Sequence, residues 1–229
     1  MKASVKAAIP DSTKKLRIYE ELKRRIVHNE LAPGQYINER TFCAELGVSK
    51  TPIREALQRL EHEHFVQIIP NKGCFVSNIS LDLIREVFEI REIFECAAAR
   101  RAANLKDRSL FEDLLVNHPS FYVDNDTDLR QTLISGYQIH ELIVNSVGNT
   151  FLSSYYRAML DHIVRIRVFF LSRFEAKRLH ETIEEHKELL QAIVDGDPDR
   201  AETAMRQHLY RSLSNIKEYI FNEKETWKL

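Results

Sequence analysis

Cysteine is scarce in this chain, with three among 229 residues, and none of Cys43, Cys74 and Cys96 belongs to a CxxC pair. An odd, scattered set excludes a disulfide scaffold and fits a reducing compartment, where all three are expected as buried thiols. Glycine and proline number six each, too few for a collagen-like or low-complexity chain. Nowhere do the about 18 consecutive apolar residues of a membrane-spanning helix occur. The opening MKASVKAAIPDSTKK lacks the apolar stretch of a secretion signal, so a cytoplasmic protein with no membrane contact is expected. Net charge is almost absent too, at −1, yet residues 1–80 carry 13 Lys/Arg against 9 Asp/Glu, and the remainder 20 against 25. The basic end is the one suited to phosphate, although a surplus of this size also occurs on domains that touch no nucleic acid.

What the chain does have is helix-forming periodicity. Hydrophobic residues make up 44% and charged residues 29%, the balance of a globular, helix-rich protein long enough for two cores. After a loose arm to about residue 11, Leu16, Tyr19, Leu22 and Ile26 mark one face of a first helix, which Ala32-Pro33-Gly34 ends. From Asn38 a short second helix turns Phe42 and Leu46 inward and stops at Gly47. Ser49 is placed to cap a third helix, in which Ile53, Ala56, Leu57 and Leu60 recur at i, i+3, i+4 and i+7. The runs 65–69 and 74–76 flank Pro70-Asn71-Lys72-Gly73, a hairpin signal. Helix, helix, helix, hairpin is the order of a winged helix-turn-helix. Past a linker at 78–80 the pattern becomes all-helical, with helices expected at 81–104, 107–117, 128–147, 150–173, 175–195 and 198–221. The corner Asp195-Gly196-Asp197-Pro198 supplies a C-cap, an N-cap and a first-turn proline.

A helix that enters the major groove needs an apolar back and a polar front near its N-terminus. Ser49 to Arg59 has both. Arg54 is the candidate base contact, since its fork matches O6 and N7 of guanine. Ser49, Lys50 and Thr51 suit phosphate oxygens, and Arg40, Arg59 and the wing tip Lys72-Gly73 complete the set. Each charge taken alone is equally a solvated helix or loop residue. Together, ELAPGQYINERTFCAELGVSKTPIREALQRLEHE and the wing IIPNKGCFV resemble the GntR family of regulators. That family commonly has Arg where Lys50 stands, and Gly where His64 ends the recognition helix. The second half, through FEIREIFECAAARRAA, IHELIVNSVGN and EEHKELLQAIVDGDPDRAETAMRQHL, resembles the FCD-type effector domain of the FadR branch, nearer its shorter, VanR-like subgroup. The resemblance implies a homodimer that responds to a small organic acid, often through a bound metal.

Spacing alone singles out three histidines. His186 and His208 stand about ten residues either side of the Gly-Asp-Pro corner, so two antiparallel helices bring them level. His186 shares a face with Ile183, Leu190 and Ile193, and His208 with Ala201 and Ala204. His140 lies on a face with Leu133, Tyr137 and Val144. Three inward imidazoles suit Zn²⁺ or Ni²⁺, while the alternative for each is a hydrogen-bonded core histidine. The resemblance implies a fourth ligand, an Asp one turn before the first His, and that position is Gly136; a water or the effector's own carboxylate is expected there. Arg91, Tyr137 and Arg165, with Arg167, are candidates to hold the acid, although Arg91 is also spaced to pair with Glu95.

The fold expected is mainly α: residues 1–78 form the arm and winged helix-turn-helix, and 79–229 an effector-binding and dimerisation bundle of about six helices. The function expected is an effector-responsive, operator-binding repressor and not an enzyme, since HExxH and an obvious nucleophile are both missing. The alternatives are a metal-free effector pocket and a nucleoid-type DNA binder that senses nothing.

Overall fold

The computed structural model describes residues 11–122, 129–170 and 176–223; the arm and the tips of three expected helices fall outside them. The chain divides into two compact units, residues 1–80 and 81–229.

In the first unit α1 (Asp11–Val27) buries Ile18, Tyr19, Leu22 and Ile26 against α3. Leu16, placed by spacing on that face, is 46% exposed, because the buried stripe begins at Ile18. Helix α2 (Glu39–Leu46) opens with Asn38, whose side chain accepts from the Arg40 N–H at 3.0 Å, and closes at the left-handed Gly47. Helix α3 (Lys50–His62) buries Ile53, Ala56, Leu57 and Leu60, the four residues that the spacing selected. Ser49 occupies the N-cap position with extended backbone, but its hydroxyl makes no capping bond. The wing is β2 (Val66–Ile69) and β3 (Gly73–Val76), antiparallel with Gln67 opposite Phe75. A two-residue strand β1 (Tyr36–Ile37) joins the other side of β3, giving the order β1-β3-β2. So short a strand carries no period of its own, and the sequence did not announce it. Cys74 and Cys96 are buried as expected, whereas Cys43 is only half-buried, since Phe42 takes the inward position on α2.

In the second unit α4 (Leu81–Arg91) and α5 (Ala97–Ala103) form the continuous helix expected at 81–104, joined by a π-turn at Glu92–Cys96. Such a turn is uncommon and concentrates at functional positions. Then follow α6 (Ser109–Asn117), a 3₁₀ turn at Pro119–Phe121, α7 (Leu129–Ser146), α8 (Thr150–Phe170), α9 (Ala176–Val194) and α10 (Pro198–Glu223). At the α9–α10 corner Asp197 Oδ1 accepts from the Arg200 N–H at 3.0 Å, the cap foreseen for Pro198 at the first helical position. Ile139, Ile143, Ile163, Ile166, Leu190, Ile193, Ala201 and Met205 are buried in the core of this bundle. No described helix is long and apolar enough to cross a membrane.

Candidate functional site

The N-terminal half of α3 carries an exposed polar front of Ser49, Lys50, Thr51 and Arg54, with the exposed Arg40 at the start of α2. Arg54 Nε donates to both carboxylate oxygens of Glu39, at 3.0 and 3.2 Å, so an acid in the first turn of α2 holds the residue expected to read a base. Glu39 was not singled out by the sequence, where it is one of many helix-start acids. Arg59 is placed differently. Its guanidinium lies 3.6 Å from the Tyr19 ring centroid and bonds Glu63 at 3.1 Å, which ties it to α1 and the far end of α3. Lys72 is exposed at the wing tip. Gly73 has a packing reason for lacking a side chain: a Cβ there would stand 2.6 Å from the Tyr36 ring, at a φ of +109°.

In the second unit the three inward histidines come together. One ring nitrogen each of His140, His186 and His208 lies within 4.8 Å of the others, and all three side chains are buried. Two carboxylates orient them. His140 Nδ1 donates to Glu95 Oε2 at 2.8 Å, and His208 Nδ1 to Glu185 Oε2 at 2.8 Å. With the proton on Nδ1, the lone pair of each ring sits on Nε2. The His140 and His186 Nε2 atoms are 3.1 Å apart, and His208 Nε2 is buried without a hydrogen-bond partner. Burial pushes all three imidazoles below their ordinary pKa, against the pull of Glu95 on His140, so they are neutral bases. Neutral, converging imidazoles with carboxylates behind them and an unsatisfied nitrogen at the centre fit a borderline divalent cation. His140, His186 and His208 would hold it, and it would supply a Lewis-acidic point for an anionic oxygen.

The supporting carboxylates are themselves held. Burial alone would protonate Glu95, but Arg91 and His140 keep it well below the usual carboxylate range. Arg91 bonds it at 2.8 and 3.3 Å, and Tyr156 OH donates to it at 2.8 Å. Arg178 grips Glu185 through two bonds of 2.8 and 2.9 Å. Arg91 therefore makes the Glu95 pair that its spacing suggested and is fully buried. The sequence missed the second role of Glu95, and Glu185 and Arg178 entirely; the acid just before His186 was the available signal.

Beside the histidines lies a small cavity of about 10 Å³, the size that holds one water. Gly136, Tyr137, Thr132, Thr182 and Ser120 line it, together with Arg167. Tyr137, a candidate to hold the acid, is one of the lining residues. Arg165, equally buried, is not among its lining residues, and its burial lowers its pKa to about 10. A Cβ on Gly136 would meet His186 Cε1 at 3.3 Å, so a side chain from this position would stand at the histidines.

Residues 14–76 match the family described as bacterial regulatory proteins, gntR family, and residues 86–211 match the FCD domain. The chain belongs to the GntR family, with an FCD domain. Over 212 residues it is 27% identical to the HTH-type transcriptional repressor RspR of Escherichia coli K12, covering 92% of each. Its fold is similar to that of a GntR transcriptional regulator of Rhodococcus sp. RHA1, at a TM-score of 0.73 and 21% identity, covering 90% of this chain and 98% of the other. The metal-free FCD domain of the regulator TM0439 superposes at a TM-score of 0.50 and 20% identity, over 64% of this chain and 99% of that one. The GntR protein described here is accordingly a DNA-binding transcription regulator and not an enzyme.

Proposed function

We propose that this GntR regulator is a homodimeric repressor that binds operator DNA and releases it when a small organic acid enters the helical unit. Arg54 reads a guanine in each half-site, Lys50, Thr51, Ser49 and Arg40 contact phosphates, and Lys72 follows the backbone from the wing. His140, His186 and His208 hold a divalent ion, zinc or nickel, and the acid's carboxylate takes the position that Gly136 leaves without a side chain. Acid binding shifts the population between two settings of the 77–81 linker. The observation that carries the reading is the buried, unsatisfied Nε2 of His208 beside His140, whose Nδ1 proton leaves its Nε2 lone pair inward, and the His186 ring within 4.8 Å of both.

Two measurements test it. Protein purified without a His-tag should carry one zinc or nickel per chain and melt higher when the ion is added; no stoichiometric metal and no thermal shift overturns the metal. Arg54→Ala should cost about 1–3 kcal/mol of operator affinity in a mobility-shift assay and relax specificity at one base pair; unchanged affinity overturns the base contact. The direct contact between the His140 and His186 Nε2 atoms favours one rival, a metal-free polar pocket. That rival predicts acid binding undiminished by a chelator.

A further inference from the structure

Resting on the reading that Arg54 contacts a guanine, we infer that Glu39 is the positioning residue that sets how strictly that base is read: it fixes Arg54 by one edge, leaves the guanidinium fork to the guanine, and weakens binding to every sequence that lacks one.

The exposed cations of the first unit are not treated alike. Among the described residues Arg40, Lys50 and Lys72 pair with no carboxylate, whereas Arg54 is held by Glu39 from the neighbouring helix. A cation that meets phosphate gains from freedom, because phosphates recur along any duplex. A cation that reads a base gains from a fixed direction, because the side-chain entropy is then lost before binding and not during it.

The form of the pair fits the second task. Both Glu39 oxygens accept from the same Arg54 nitrogen, Nε, at 3.0 and 3.2 Å. The strongest arginine–carboxylate pair is instead two parallel bonds that consume two nitrogens. Here Nη1 and Nη2 make no hydrogen bond to the described residues, and these are two donors that can meet O6 and N7 of one guanine. The Arg54 side chain is 61% exposed and that of Glu39 27%, so the acid is the sheltered partner and the guanidinium the open one. A surface pair of this kind adds little to stability, and folding alone does not account for it.

Charge adds a second effect. A carboxylate near the duplex repels phosphate whatever the sequence, and an arginine paired with it is not free to neutralise phosphate. Both effects weaken binding where no guanine is offered. Specificity is a difference of affinities, and Glu39 widens it from the non-specific side. Without Glu39, Arg54 becomes one more mobile phosphate contact on any duplex.

The test uses the full-length protein and a pool of random duplexes from which the wild type enriches its own sites, with unselected duplexes measuring non-specific binding. Arg54→Ala marks the position that Arg54 reads, as the guanine whose enrichment is lost. Glu39→Ala should lower the preference for guanine at that position about three- to tenfold, leave the other positions as in the wild type, and steepen the salt dependence of non-specific binding by about one phosphate contact. Glu39→Gln, whose amide oxygen still accepts from Nε but carries no charge, should keep most of the guanine preference and bind unselected DNA more tightly than the wild type. In an Arg54→Ala background, Glu39→Ala should change nothing at that position. An unchanged guanine preference in Glu39→Ala overturns the inference, as does an equal loss at every position, the mark of a disturbed α2. The two failures are distinguishable. If Arg54→Ala costs no guanine, the base contact falls and the role of Glu39 with it; if Arg54→Ala loses the guanine and Glu39→Ala keeps it, the role of Glu39 alone falls.

Discussion

Single residues here are constrained by backbone and by buried charge more than by exposure. His64 follows the recognition helix with a φ of +62°, a conformation in which a side chain costs roughly 1–2 kcal/mol. Glycine removes that strain but raises the entropy of the unfolded chain, so His64→Gly should stabilise the protein by about 0.5–1 kcal/mol, read as a higher urea midpoint at unchanged slope. Glu95 is the opposite case. It serves Arg91, His140 and Tyr156 at once with 0% exposure, and Glu95→Gln would leave Arg91 as a buried charge without its partner. A loss of about 3–5 kcal/mol is expected in denaturant unfolding, against about 1–2 kcal/mol for Tyr156→Phe, which removes one hydrogen bond. Spacing put the three histidines on inward faces because helical period and a capped corner are local properties. The tie of Glu95 to His140, with Glu185 and Arg178, stayed hidden because an acid or arginine on a helix reads as a solvated charge until a partner distant in sequence buries it.

At the scale of elements, α1 and α2 are joined by charge rather than by a shared core stripe alone. Arg25 bonds Glu21 on its own helix at 2.7 Å and Glu45 on α2 at 2.9 Å, while Arg24 bonds Glu21 at 3.0 Å. Hydrogen bonds from Arg24 and Arg25 hold the Glu21 carboxyl at about 2, below its ordinary 4.5. A carboxylate whose pKa is lowered on folding stabilises the protein above the unfolded value and ceases to do so as pH falls from about 4.5 towards 2. Glu21→Gln should therefore cost about 1 kcal/mol or less at pH 7, after allowance for solvent, and almost nothing near pH 2; an equal cost at both values would show that the bonds contribute little. Helices α2 and α3, the wing and the Gly-Asp-Pro corner were legible as caps and apolar repeats. The π-turn at Glu92–Cys96 was not, since a single widened turn leaves the apolar repeat on either side of it intact. The strand at Tyr36–Ile37 was not either, because it exists through pairing with Phe75 and Cys74.

Over the whole molecule the two compact units divide the chemistry, with the exposed cations of α3 in one and the buried histidines in the other. The sparse cysteines have a practical consequence. Burial pushes the Cys74 and Cys96 thiols up to about 12, so neither is a thiolate at neutral pH and neither is open to a bulky reagent. Cys43 alone is half-buried. Native protein should take up one maleimide per chain within the time that unfolded protein takes three, counted by intact mass. The chain thus comes with a single attachment point for a fluorophore on α2, one turn from Arg40, from which DNA engagement can be watched in the wild-type sequence with no cysteine engineered in or out.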